Sequence, residues 1–323
     1  MLIDALQCGH FNRPVLEQLR DAGVGCVTST LGFWETATEA MDAVAWWRDL
    51  ERGNRDVMVI ARTVADIERA RAGKKIAAVL GFQNATLFDG RIGFVELFAD
   101  MGIRVVQLTY NNQNDFGGSC YEAEDSGLSR FGREIVHEMN RAGILVDLSH
   151  VGNRTTLEAV RHSRKPVAIT HANADSLFPH KRNKTDDVIR ALKDNGGVIG
   201  CACYRNITGD EYCSTVDKWC EMVKLTVDIA GIDHVGIGTD RSHGHGPADY
   251  DWMRKGRWTR GVDYGAGSAA RPGKVAPADW FTELSGISTI PGALARVGFS
   301  KEEVDKITHK NWLRVYGEVF AKA

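Results

Sequence analysis

Three residues of the chain combine the chemistry of a metal ligand with a telling position. His150, His171 and Asp240 each come directly after a short apolar run that has the length and β-branched content of a strand. In a (β/α) barrel the carboxyl ends of the strands form the face that carries the active site. Two neutral imidazoles and a carboxylate are a common ligand set for a hydrolytic zinc that keeps one position open for water. We therefore predict a metal centre at these residues, with Asp240 also acting as the catalytic base.

Similar apolar runs recur along the chain and alternate with segments of helical periodicity. That alternation is typical of parallel strands joined by helices, and nine candidate strands are enough for a barrel of eight. Because no linker rich in Pro or Ser divides the 323 residues, we predict one α/β domain over 1–323, a (β/α)8 TIM barrel of the metal-dependent hydrolase type. The candidate strands lie at 2–6, 24–29, 56–60, 76–82, 103–109, 143–148, 167–170, 197–202 and 234–239. The candidate helices lie at 35–53, 64–72, 92–101, 130–141, 153–162, 185–194 and 214–230, and closing helices lie at 300–307 and 309–320.

The stretch from about 242 to 290 interrupts this alternation. It is rich in Gly, Trp, Arg and Pro and has neither helical nor strand periodicity. We expect a long loop insertion there, directly after the strand that ends at Asp240. Long loops in this position often cover active sites. A solvated segment or a contact between subunits is an equally good interpretation.

Composition and charge exclude several classes of function. The 40 Lys and Arg residues nearly balance the 42 Asp and Glu residues, and the formal charge of −2 provides no basic field for nucleic acid. The N-terminus has no basic and apolar leader, and no apolar run reaches the ~18 residues of a membrane span. Seven cysteines at irregular spacing suit free thiols better than a disulfide framework. We expect a cytoplasmic protein that binds neither nucleic acid nor a membrane.

Four segments are informative in their exact sequence as well as in their spacing. They are LTYNNQN (108–114), VDLSHVGNRTTLEAV (146–160), PVAITHANADSLFPHKRN (166–183) and DHVGIGTD (233–240). In content, order and spacing they resemble the renal or membrane dipeptidase family of metallopeptidases, and the resemblance covers nearly the whole chain. It implies a (β/α) barrel that carries two zinc ions and hydrolyses dipeptides. Family members often form homodimers, so the resemblance implies a homodimer as well.

The resemblance also implies roles for single residues. His150 and His171 fall on the two histidines of the second zinc, and Asp240 falls on an aspartate of the first. Arg182 falls on the arginine that binds the substrate carboxylate, a role that suits the bidentate fork of a guanidinium. Tyr110 falls on a histidine near the substrate, and its hydroxyl can donate a hydrogen bond to an oxyanion, so we predict a catalytic and substrate-binding role for it. The adjacent Asn111 is predicted to contact the substrate.

The chain departs from the family at several other positions. The first strand of the family supplies a His and an Asp to the first zinc, and Leu6 and Cys8 stand in their places. The glutamate that bridges the two ions falls on Gln83, a neutral amide that cannot neutralise two dications. We therefore predict one zinc per chain rather than two, with Gln83 and Cys8 as its weaker candidate ligands. A shifted alignment that places His10 on the family histidine would break the match of Asp4 to the strand.

Two functions follow from this set of residues. The first is a metallohydrolase that cleaves a dipeptide or a similar small amide with a metal-activated water. The second is a catalytically impaired barrel that binds a small carboxylate ligand at Arg182 without turnover, which the changes at Leu6, Cys8 and Gln83 favour. A third hypothesis is a metal-independent enzyme that uses Cys8 or Tyr110, although no base is paired with that cysteine in the sequence.

Overall fold

Strands and helices alternate along the chain, as the periodicity predicts. The computed structural model describes residues 1–257 and 275–320. The strands are β1 (Leu2–Gly9), β2 (Val24–Thr30), β3 (Met58–Ile60), β4 (Ile76–Phe82), β5 (Ile103–Gln107), β6 (Leu145–Asp147), β7 (Ala168–Ala172), β8 (Val198–Cys201), β9 (Val235–Ile237) and β10 (Arg241–His243). The helices are α1 (Arg13–Asp21), α2 (Ala37–Gly53), α3 (Val64–Ala72), α4 (Gly93–Met101), α5 (Arg130–Ala142), α6 (Asn153–His162), α7 (Asp186–Asp194), α8 (Arg205–Thr208), α9 (Asp210–Ser214), α10 (Val216–Ala230), α11 (Pro247–Lys255), α12 (Ile290–Arg296), α13 (Lys301–Asp305) and α14 (Asn311–Val319).

The strands form one parallel sheet that closes on itself. Their order is β10-β1-β2-β4-β5-β6-β7-β8-β9. Because only residues 238–240 separate β9 from β10, these two are consecutive parts of one strand, which pairs with β8 through β9 and with β1 through β10. The short β3 pairs with the first part of β4, on the edge that β5 occupies further along. Eight strand positions therefore surround the barrel, and the predicted fold is confirmed.

Helix α14 closes the amino-terminal end of the barrel. The rings of Trp312 and Tyr316 are fully buried there among the apolar side chains of the strands. The indole N–H of Trp312 donates to the carbonyl oxygen of Ile237 at 3.1 Å, and the Tyr316 hydroxyl lies 3.1 Å from the Thr28 hydroxyl. Since this end is filled, the carboxyl ends of the strands are the end that can admit a ligand.

Two glycines allow the backbone around β7 to pack closely. A Cβ atom on Gly200 would lie 2.1 Å from the carbonyl oxygen of Thr170, and one on Gly238 would lie 1.7 Å from the same oxygen. No side chain fits at either position, so the sequence must have glycine there. The close approach brings Thr170 and Thr239, the residues that precede His171 and Asp240, to the same region of the barrel.

The expected loop at 242–290 is wrong for much of its length. Helix α11 occupies Pro247–Lys255, and short 3-10 helices occupy Asp279–Phe281 and Leu284–Thr289. Helix α11 begins with a proline in its first turn, and the Asp249 carboxylate accepts a hydrogen bond from the Gly246 N–H at 2.7 Å. The helix has little apolar periodicity because Met253 is its one buried residue. Residues 258–274 of the expected loop lie outside the described residues.

Two further expectations concern cysteines and membranes. All seven cysteines are buried and have free thiols, as their irregular spacing suggests. Within residues 1–257 and 275–320, no helix combines the length and the apolar character that crossing a bilayer requires.

Candidate active site

A cavity of about 60 Å³ opens at the carboxyl ends of the strands. Six of the residues predicted for the site line it together with six others. Aromatic side chains make up much of its wall, and the polar groups are few, which is the usual character of a small-molecule site. The lining residues are Cys8, Phe33, Gln83, Tyr110, Tyr121, His150, Arg182, Tyr204, Asp240, Ser242, Tyr250 and Met253.

His150, which lines this cavity, faces the fully buried His171. Their Nε2 atoms are 3.0 Å apart and their ring centres are 5.1 Å apart. The Nδ1 of His150 lies 2.7 Å from the side-chain oxygen of Asn111, and the Nδ1 of His171 lies 2.8 Å from the Thr170 hydroxyl. The single hydroxyl proton of Thr170 is donated to Asp147, so Thr170 accepts from His171. Both rings therefore carry their proton on Nδ1 and direct the Nε2 lone pair towards the other ring.

This arrangement fits two ligands of one metal ion. Two imidazole nitrogens on a tetrahedral zinc, each about 2 Å from the ion, are about 3.3 Å apart. Hydrogen bonds at Nδ1 are the usual way in which a protein orients the imidazoles of a metal site. Burial is the largest cause that lowers the pKa of both histidines well below its usual value, and the nearby Arg182 lowers it further. Both rings are therefore neutral, as metal binding requires.

Asp240 lines the same cavity, but it does not join the histidines as a close third ligand. In the described part of the chain, no thiol, carboxylate or further imidazole lies within 4.8 Å of both Nε2 atoms. The predicted set of three ligands is therefore only partly assembled. Asp240 has a left-handed backbone (φ 56°), and its N–H donates to the carbonyl oxygen of Leu6 at 3.1 Å. Burial, followed by the charges of Asp4 and Asp147, raises the pKa of Asp240 to about 7.

Arg182 is almost fully buried beside the histidines. One of its terminal nitrogens donates to the carbonyl oxygen of Ser149, and the other donates to that of His171 at 3.1 Å. These two bonds hold the guanidinium against the ends of β6 and β7. A guanidinium has five N–H donors, so three remain for the cavity that Arg182 lines.

Tyr110 and Asn111 both contact the imidazole of His150. The Tyr110 ring stands over His150, with ring centres 4.4 Å apart, and it also contacts Phe33 and Trp34. Asn111, which is predicted to contact the substrate, instead hydrogen-bonds His150 and is 1% exposed. Its left-handed backbone (φ 59°) is one that asparagine tolerates better than most residues, and it turns the amide towards the imidazole. Among the described residues it lines a neighbouring cavity rather than the one at the histidines.

The resemblance places Leu6, Cys8 and Gln83 at positions where the family has metal ligands. Leu6 is buried in β1, whereas Cys8 and Gln83 line the cavity. Burial and then the charge of Asp240 raise the pKa of the Cys8 thiol, which is therefore protonated at neutral pH. The Gln83 amide donates to the Thr30 hydroxyl at 2.8 Å. His10, the alternative from the shifted alignment, lies beside His245 and Asp249 instead.

Several residues of the site are absent from the sequence predictions. Thr170 orients His171, and Ser242 and Tyr250 bring the chain beyond Asp240 into the cavity wall. One signal was available: Thr170 and Thr239 each precede a predicted site residue at the end of a strand. No such signal marks the wall residues Phe33, Tyr121, Tyr204, Tyr250 and Met253, because they come from loops and from helix α11.

A closed (β/α) barrel with a paired-histidine centre at its carboxyl end has the architecture of an amidohydrolase-type metal-binding barrel. The chain belongs to the membrane dipeptidase family, peptidase family M19, whose model matches residues 18–251. The resemblance that the four sequence segments show is therefore confirmed.

Known relatives agree with this assignment. The crystal structure of an amidohydrolase from Pseudomonas aeruginosa is 34% identical, covers 99% of this chain and 96% of its own, and has a TM-score of 0.93. A metallopeptidase from Rhodobacter sphaeroides, solved with a phosphinate mimic of the dipeptide L-Ala-D-Ala, is 17% identical with a TM-score of 0.79 over 99% of this chain and 100% of its own, and shows the same fold. An uncharacterized dipeptidase of Schizosaccharomyces pombe is 34% identical over 58% of this chain and 46% of its own. The chain spans about half the length of the first curated relatives it matches.

Proposed function

We propose that this chain is a dipeptidase-like metallohydrolase that holds one zinc ion at His150 and His171 and cleaves a dipeptide or a similar small amide. The observation that carries the proposal is the pair of facing Nε2 atoms, 3.0 Å apart, with both Nδ1 positions hydrogen-bonded. Two lone pairs at that separation repel each other unless a cation lies between them. Membership of the membrane dipeptidase family and the similarity to an amidohydrolase support the same reaction class.

The residues around the histidines divide the remaining chemistry. A bound zinc supplies Lewis-acid polarisation of the scissile carbonyl and lowers the pKa of the attacking water. Asp240, whose pKa burial raises to about 7, takes a proton from that water and returns it to the leaving amine. Burial raises the pKa of Tyr110 well above its usual value, so its hydroxyl keeps its proton and donates a hydrogen bond to the developing oxyanion.

Arg182 supports a substrate that ends in a carboxylate. Its guanidinium is fixed by two backbone carbonyl oxygens, so little side-chain entropy is lost when a ligand binds. The cavity is small, about 60 Å³, and is not a groove for a long peptide. A dipeptide whose free carboxylate contacts Arg182 has its peptide bond close to the histidines, because Arg182 lies beside them.

The alternative function is binding of a small carboxylate ligand without turnover. It is favoured by Leu6 and Cys8, which leave the first-zinc side of the family site without its usual ligands. A neutral thiol and an amide such as Gln83 are weak substitutes for two carboxylates. In this case Arg182 would hold the ligand and the histidines would bind no metal.

One experiment separates the two functions. The protein is purified without chelator or added metal, its zinc content is measured, and hydrolysis of a dipeptide panel that includes L-Ala-D-Ala and L-Ala-L-Ala is followed by amine release. We expect turnover that a chelator removes and zinc restores, and no turnover in His150→Ala. Dipeptide binding without product, in protein whose zinc content is the same as that of His150→Ala, would establish the alternative instead.

A further inference from the structure

A second group of metal-binding side chains lies at the rim of the barrel. His10, His245 and Asp249 each present one ligand atom, and these atoms all lie within 4.8 Å of one another. Three separate segments supply them: the end of β1, the loop after β10, and the first turn of α11. In residues 1–257 and 275–320 this is the one group of three or more His, Cys, Asp or Glu residues that meets this distance.

The geometry of the group resembles that of a metal site. The Nε2 of His10 lies 3.1 Å from a carboxylate oxygen of Asp249, and the rings of His10 and His245 are edge-to-face with centres 5.4 Å apart. Two imidazoles on one tetrahedral zinc, bound through nitrogens about 2 Å from the ion, have ring centres about 5 Å apart. The Ser242 hydroxyl lies 2.7 Å from the Nδ1 of His245, an outer contact of the kind that orients metal-binding histidines.

A third imidazole, that of His243, lies beside this group. Among the described residues, neither of its ring nitrogens has a hydrogen-bond partner, although both are buried. His243 is not one of the residues whose ligand atoms lie within 4.8 Å of one another. The candidate ligands are therefore His10, His245 and Asp249.

We propose that His10, His245 and Asp249 bind a divalent transition metal of the zinc class, separate from the ion at His150 and His171. Two imidazoles and one carboxylate are a donor set that zinc and its neighbours in the transition series prefer over calcium or magnesium. The site, which we call the rim site, is partly exposed, because His10 is 62% and Asp249 is 33% exposed. Its ligand set leaves room for water.

An ion at the rim site ties helix α11 to the end of β1 and thereby fixes one wall of the active cavity. Tyr250, which follows Asp249, lines that cavity, and so does Ser242. The Ser242 hydroxyl lies within hydrogen-bond distance of both His245 at 2.7 Å and the Tyr250 hydroxyl at 3.4 Å. The rim site therefore holds the wall in place without contacting the substrate itself.

The test counts metal ions in matched variants. The zinc stoichiometry and dissociation constants of the wild type, His10→Gln and Asp249→Asn are measured by calorimetry and elemental analysis on untagged protein. The controls are His137→Gln, which removes a surface imidazole stacked on His162, and Asp251→Asn on the same helix. We expect His10→Gln to bind one zinc fewer per chain, Asp249→Asn to bind it at least about tenfold more weakly, and both controls to match the wild type.

The outcome is independent of the active-site metal, because the comparison is between the wild type and the rim variants. If the active site binds no zinc, the wild type still binds one ion and His10→Gln binds none. Equal stoichiometry and affinity in the wild type and His10→Gln would overturn the proposal and leave only an ion pair between His10 and Asp249. A loss of the same size in His137→Gln would overturn it as well, because the effect would then follow from any surface imidazole.

Discussion

The two sides of the active cavity share one supporting framework but differ in the groups that this framework presents. On one side, which we call the histidine side, the Asp147 carboxylate accepts hydrogen bonds from the N–H and hydroxyl groups of both Ser149 and Thr170. On the other, which we call the leucine side, the Asp4 carboxylate accepts the same two bonds from Thr239 and one each from Leu6 and Gln7. Both carboxylates are fully buried, and burial raises the pKa of each.

The difference begins three residues after each aspartate. On the histidine side that residue is His150, whose Nε2 faces His171. On the leucine side it is Gln7, whose amide N–H donates back to Asp4 at 2.8 Å while its oxygen is buried without a partner in the described contacts. The buried aspartate and threonine are therefore present on a side that has an amide, not an imidazole, at the matching position. Such a pair is part of the packing of the barrel, and it persists whether or not a metal ligand follows it.

The largest effect that tests this difference is loss of a histidine. We expect His171→Ala to lower the zinc affinity of the active cavity by more than about 100-fold, because removal of orienting partners alone typically lowers it 10–100-fold. Dipeptide turnover disappears with the metal. The matched control is His234→Ala, since His234 Nδ1 only contacts the carbonyl oxygen of Gly197. Zinc binding that survives in His171→Ala would exclude the histidine side as the metal site.

Arg182 tests whether the histidine side also binds the substrate. We expect Arg182→Met to raise KM for dipeptides about 10–100-fold, because a charge-assisted hydrogen bond contributes roughly 1.5–3 kcal/mol. The effect on kcat is smaller. The measurement compares KM for a dipeptide with KM for its C-terminal amide. Arg182→Lys keeps the charge but loses the planar fork, so we expect its KM for the dipeptide to fall between those of the wild type and Arg182→Met. Equal losses on the acid and the amide would show that Arg182 only supports the backbone of Ser149 and His171.

The two threonines provide a matched pair across the cavity. Thr170→Val and Thr239→Val each remove a hydroxyl donor from a buried aspartate, and both variants should unfold about 1.5–3 kcal/mol more easily. We expect Thr170→Val, but not Thr239→Val, to lose zinc affinity, about 10-fold or more. Of the two hydroxyls, that of Thr170 is the one that contacts a histidine Nδ1. Calorimetry of zinc binding and denaturant unfolding measure the two effects. Equal loss of zinc affinity in both would show that the leucine side also holds metal.

The sequence predicts the framework well and its contacts poorly. Strand and helix periodicity depends on burial, which the barrel preserves, so all nine predicted strands occur. The register between strands also brings His150 to His171, as their positions at strand ends suggest. These features are local to one strand or to adjacent strands.

Contacts across the cavity could not be read in the same way. Asp240 has the predicted position but not the distance of a third ligand, because its left-handed backbone and the bond from its N–H to Leu6 set the direction of its side chain. The sequence predicts that Asn111 contacts the substrate, whereas its turn directs it to His150. Helix α11 and the rim site depend on packing between segments more than 200 residues apart, as in the contact of His10 with Asp249, and no local pattern encodes that.

The smallest expected effect concerns a buried amine that is confined to the histidine side. Lys184 donates to the carbonyl oxygen of Val151 and to the Thr156 hydroxyl, and burial, with Arg182 nearby, lowers its pKa to about 7 from 10.5. Between these two values the unfolded chain binds a proton that the folded chain does not, so the free energy of unfolding rises with pH across this window, by at most about 1.4 kcal/mol per pH unit.

We expect Lys184→Met to remove this contribution, so that the free energy of unfolding of the variant, minus that of the wild type, falls as pH rises from about 7 towards 10.5. Below about pH 7 the difference becomes constant, because the amine is then protonated in both states of the wild type. Urea unfolding at several pH values measures it, and the subtraction cancels the titration of the cysteines and tyrosines that the two proteins share. A difference that does not change with pH would mean that Lys184 stays charged when folded, and the electrostatic distinction between the two sides would then rest on Arg182 and Asp240 alone.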